Sequence, residues 1–109
     1  MSRTVWDGIF TGAQARAGQA VVQSHCDRCH ANEGWPFVLE AWSGRQLVEF
    51  FDTIRTSMPL DYPGALRPEE YTAGIAYILR LSGAATGGRE LPSDREVLAG
   101  ITITRSREG

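Results

Sequence analysis

The stretch Cys26-Asp27-Arg28-Cys29-His30 contains both cysteines of the chain and one of its two histidines. Two thiols separated by two residues, followed at once by an imidazole, form a donor set with several known uses. A thioredoxin-type dithiol sits in a βαβ context, which the flanking sequence does not offer. A zinc site needs a fourth ligand, and the spare histidine, His25, is the direct neighbour of Cys26. A disulfide between Cys26 and Cys29 would be strained and leaves His30 without a role. Covalent heme attachment uses all three side chains: the thiols reach two vinyl groups on one porphyrin edge, and the next imidazole in the chain reaches the iron. The expected cofactor is therefore one heme c, held by Cys26 and Cys29, with His30 as an axial metal ligand.

The second axial ligand follows by elimination. Iron in an electron-transfer site takes two strong ligands, and His and Met are among those used. His25 lies beside the attachment segment and cannot cross to the opposite heme face. Lysine does not occur, since all 11 basic residues are Arg, and Met1 is terminal. Met58 remains, in a stretch whose Pro59, Pro63 and Gly64 suit an ordered loop. The ordinary alternative for a lone methionine is core packing.

Three further residues are candidates for the cofactor's surroundings. A ligating histidine usually donates its second ring N–H to a carbonyl or carboxylate, and the backbone around Trp35 and Pro36 is a candidate acceptor. The indole N–H of Trp42 and the guanidinium of Arg45 are suitable donors to buried propionates, against the plainer reading of a core Trp and a solvated Arg. Position alone does not choose between core and propionate contact for Tyr62 and Tyr77.

Outward from this segment the pattern is helical. Thr11 with Gln14 has the form of a capping box, which predicts a first helix from about residue 12 to Gln23 or into the Cys pair, with Ala17, Gly18, Val21 and Val22 inward. Gly34 and Pro36 predict a loop over residues 31–42. Ser43 with Gln46 predicts a second helix over about 44–56, its stripe formed by Leu47, Phe50, Phe51 and Ile54. Pro68 suits the first position of a third helix, over about 68–81, with Glu69 and Glu70 at its positive end and Gly83 as its stop. Ser93 with Glu96 predicts a short last helix to about Ala99. The expected fold class is all-α, one domain over 1–109, with a core at about 11–83 and a wrapping tail over 84–109.

Composition sets outer bounds. A chain of 109 residues suits one domain, and at that size a large apolar cofactor supplies much of the core. A formal charge of −2 with dispersed Arg argues against nucleic acid. The longest apolar runs are too short to span a bilayer. The first six residues, Met1 to Trp6, lack the apolar centre of a secretory signal, so an exported form is expected to have lost its signal already.

Several of these residues together resemble the class I cytochrome c family: Gly18 ahead of Cys26, the Cys26-Cys29-His30 attachment, Met58-Pro59, and Ala76-Tyr77-Ile78. The resemblance covers most of the chain. It implies three main helices and a short C-terminal one around a single covalent heme, with the first and last main helices crossing where Gly18 and Tyr77 stand. Ala31 replaces the glycine usual after the histidine, and Gly74 stands where a larger residue usually packs, so Gly18 facing Gly74 predicts an unusually close crossing. A narrower set is similar to the cytochrome domains that partner quinoprotein (PQQ) dehydrogenases: Val5-Trp6-Asp7-Gly8, Trp42-Ser43-Gly44, Phe51 to Pro59, Pro63-Gly64, Ala76 to Leu79 and Glu90-Leu91-Pro92. That likeness implies a non-enzymatic one-electron carrier in the bacterial periplasm. Its expected donor is a periplasmic dehydrogenase and its acceptor a terminal oxidase or other protein, and the chain itself is expected as a monomer or in a transient complex. The alternative is a heme-based CO, NO or peroxide sensor or enzyme with a labile methionine.

Overall fold

The computed structural model describes residues 3–25, 35–57 and 66–104. In chain order they form β1 (Arg3–Thr4), α1 (Gly12–His25), α2 (Trp35–Ala41), α3 (Leu47–Ser57), α4 (Pro68–Leu81), α5 (Arg95–Ala99) and β2 (Ile101–Thr102). The architecture is all-α, and among the described residues the strands amount to one short pairing.

Helix α4 is the centre. Tyr71 through Leu79 are buried without interruption, so the helix is covered on every side, and α1, α2 and α3 all pack against it. Its limits match those predicted, for the predicted reasons. Pro68 fills the first helical position, where no backbone donor is needed. The Glu70 carboxylate accepts the Arg67 backbone N–H at 2.9 Å. At the far end Gly83 takes φ +92°, its N–H donating to the Arg80 carbonyl and that of Ala84 to the Leu79 carbonyl, both at 3.0 Å. This pair of bonds closes the last turn and needs the left-handed residue that glycine supplies.

Helix α1 crosses α4 at contact distance. A methyl group built on Gly18 would lie 1.7 Å from the Ala73 carbonyl oxygen, so backbone meets backbone there. The close crossing expected from Gly18 and Gly74 is present, its tightest point being the Ala73 carbonyl. The inward face of α1 differs from the predicted one: Gln14, Ala15, Gly18 and Val22 are buried, Val21 is half-buried and Ala17 is exposed. Centring the buried stripe on Gly18 turns Ala17 outward, since adjacent helix positions lie about 100° apart.

The loop expected over 31–42 is corrected by α2. Pro36 is compatible with helix because it sits in the first turn, where its missing N–H costs nothing. The second helix begins later than predicted, at Leu47, because the backbone N–H of Gln46 donates to the Glu49 carboxylate at 2.9 Å. Ser43 belongs instead to the preceding turn, in which Gly44 has φ +91°. Likewise α5 is capped by Asp94, whose carboxylate accepts the Glu96 N–H at 2.9 Å, and not by Ser93.

The C-terminal segment returns along the body. Gln14 meets both backbone groups of Leu91: its Nε2 donates to the carbonyl at 2.9 Å, and its Oε1 accepts the N–H at 2.7 Å. Both residues are buried, so the amide completes two backbone bonds that water cannot reach. Beyond α5, Ile101 and Thr102 pair in parallel with Arg3 and Thr4, and Thr102 bridges Gln46 on the other side. Ile101 and Ile103 are fully buried.

Candidate functional site

Cys26, Cys29, His30 and Met58, the residues expected to attach the heme and ligate its iron, lie outside the described residues, and their flanking helices can be described. Helix α1 runs to His25, so the attachment segment continues directly from its C-terminal end. Helix α3 ends at Ser57, so Met58 is the next residue after its last turn. Both helices are seated on α4. The side chains that seat α3 are Leu47, Val48, Phe50 and Phe51, each buried.

Pro36, Trp42 and Arg45 are described. Pro36 lies half-buried in the first turn of α2. It borders a shallow depression shared with Trp6, Leu39, Glu40, Ser82 and Thr104, where the Trp6 Nε1 donates to the Thr104 carbonyl at 3.2 Å. Trp42 is half-buried with its ring edge-on to Phe50, the centroids 5.4 Å apart. The Arg45 guanidinium lies over the Trp42 indole, 4.8 Å from its centroid, and pairs with Glu49 at 3.2 Å. Trp42 and Arg45 are thus brought together, with Arg45 shared between an aromatic face and a carboxylate on the next helical turn. Beside them the Ser43 hydroxyl is buried and has no hydrogen-bond partner among the described residues.

A second polar group, on the other half of α3, had no signal in the sequence. Asp52 accepts from Arg95 of α5 in a forked arrangement, Nε to Oδ1 at 3.2 Å and Nη2 to Oδ2, and from Arg55 at 3.4 Å. The Arg95 hydrogen bonds hold the Asp52 carboxyl below the usual carboxylate range, outweighing the opposing effect of burial, and the positive charges of Arg95 and Arg55 add to this. Asp52 and Arg95 stand 43 residues apart, a separation that no local pattern registers.

The donor set fits a heme. Two thiols and an imidazole leave the end of a helix that is locked to the core by backbone contact at Gly18. A thioether follows a helix seated by two buried phenylalanines. Among the described residues no three His, Cys, Asp or Glu side chains come together as a rival metal site, and no helix is long and apolar enough to cross a membrane.

Comparison with known families gives a match to cytochrome c oxidase, cbb3-type, subunit III, over residues 13–78, which is more than half of the chain. Neither the curated proteins nor the solved structures compared with the chain gave a match. The matched segment runs from the first turn of α1 to the last turn of α4 and includes the attachment motif and Met58. The chain therefore belongs to this family of c-type cytochrome domains, and it is an electron-transfer protein that carries covalently bound heme c.

Proposed function

We propose that the chain is an outer-sphere one-electron carrier whose heme iron is held by His30 and Met58. The observation that carries this reading is the poverty of alternatives: no Lys occurs, His25 closes α1 one residue before Cys26, and Met58 follows directly on a helix anchored in the core. Heme c supplies a one-electron iron couple, whose potential methionine ligation raises. Cys26 and Cys29 would hold the group covalently, and His30 and Met58 would supply its iron ligands, a set that suits one-electron transfer because it calls for little rearrangement. Trp42 and Arg45 serve as donors to the propionates, Arg45 exchanging or sharing its bond to Glu49. The backbone around Pro36 accepts the second ring N–H of His30.

The redox partners are met briefly through small interfaces. The likeness to quinoprotein partners supports a periplasmic dehydrogenase as donor and a terminal oxidase or other protein as acceptor, with the periplasm as location. The return of residues 84–104 onto α1 and β1 supports a single domain over 1–109. The test against a heme-based sensor or enzyme is exposure of the reduced protein to CO at neutral pH. A carrier with a firmly held Met58 keeps its spectrum, whereas rapid formation of a CO adduct would contradict the proposal.

A further inference from the structure

Helix α3 is anchored unevenly. Its buried side chains, Leu47, Val48, Phe50 and Phe51, all lie in the first five residues. From Asp52 onward the described side chains are half-buried or exposed, and Ile54 is the apolar one that packs against the core. This second half is the one that leads into Met58. Beside the packing of Ile54, the fork between Asp52 and Arg95 joins it to α5, supported by Arg55, which reaches the same carboxylate while lying 5.3 Å over the Phe51 ring. The opposite end of the fork is firm, because α5 is held by fully buried Leu98, by its Asp94 cap and by buried Ile101 and Ile103 beyond it.

We infer that Asp52 and Arg95 are positioning residues for the sixth ligand: through them the C-terminal helix α5 steadies the last turns of α3 and so sets how firmly Met58 is retained. This inference rests on the assignment of Met58 as ligand. A planar guanidinium bonded at two points fixes orientation as well as distance, which a single contact or a lysine ammonium would not do. Asp52 is one-third exposed and Arg95 more than half, so the coupling belongs to the range of solvent-screened pairs. The expected effect is a modest bias of ligand retention.

The experiment is a titration of the intact ferric, heme-loaded protein with imidazole, which competes with Met58 for the iron. Arg95→Ala and Asp52→Asn should each raise imidazole affinity about two- to five-fold. Arg95→Lys should fall between these and the parent, and the double variant should match either single one, because the two residues form one contact. In a Met58→Ala background, Arg95→Ala should leave imidazole affinity unchanged, since the ligand through which it acts is gone. If Arg95→Ala and Asp52→Asn lower only the denaturation midpoint and bind imidazole as the parent does, the inference is overturned while Met58 stands as ligand. If Met58→Ala keeps the thioether-to-iron charge-transfer band, both the ligand assignment and the inference fall.

Discussion

Two of the helix contacts among the described residues are built from opposite materials. At the α1–α4 crossing, Gly18 lies against the Ala73 carbonyl with no room for a methyl group. At the α3–α5 contact, the link is a partly exposed ion pair between Asp52 and Arg95. The first is steric and all-or-none, because packed backbone cannot yield by a fraction of its overlap. The second is electrostatic and graded, responding to salt, pH and the geometry of one guanidinium. The rigid contact stands behind the segment proposed to attach the heme, and the graded one behind Met58, the proposed second iron ligand.

The largest effect of a single substitution is expected at the crossing. Gly18→Ala should cost about 3 kcal/mol or more, because the added methyl displaces α1 from α4, and chemical denaturation of the heme-loaded protein measures it. Gln14→Leu should cost about 2–4 kcal/mol by stranding the buried N–H and C=O of Leu91, read from the same unfolding curves. Gly74→Ala is the contrasting variant on the facing helix. Its methyl would meet Val22 Cγ2 at an ordinary 3.5 Å, so the gain in helix propensity should prevail and stability should rise by up to about 1 kcal/mol.

The smallest effect belongs to the ion pair. Because Asp52 titrates below its unfolded value, its contribution is present in full above the ordinary carboxylate range and is lost as pH falls through the lowered value. Parent and Asp52→Asn stability curves should therefore converge in strong acid and separate at neutral pH. High salt should narrow the neutral-pH gap, whereas the Gly18→Ala deficit should ignore salt.

Features that depend on contiguous residues were legible in the sequence. Helix α4 shows its ends because Pro68 and Gly83 act through local backbone geometry. Thr11 was likewise recognisable as a cap, and its hydroxyl accepts the Gln14 N–H at 3.0 Å. The role of Gln14 was not, because its amide serves Leu91, 77 residues away, where the capping-box pattern would keep it local. Helix α2 escaped because Pro36 signals a helix start as readily as a loop, and only tertiary packing of Leu39 decides between them. Ser43 and Ser93 looked like caps because serine has that chemistry, yet Gln46 and Asp94 stand at those starts. The attachment motif was legible since its chemistry is carried by five adjacent residues. Met58 is proposed by elimination alone, and Asp52 with Arg95 had no signal at all.

The central claim is that His30 and Met58 together hold the iron of an electron carrier. The most direct test is the visible spectrum of Met58→Ala beside that of the parent, with mass analysis to verify that the heme is still attached. With Met58 as ligand, the variant should retain covalent heme, lose the thioether-to-iron band and carry a high-spin or water-ligated iron at lower potential. An unchanged low-spin thioether spectrum in Met58→Ala would contradict it.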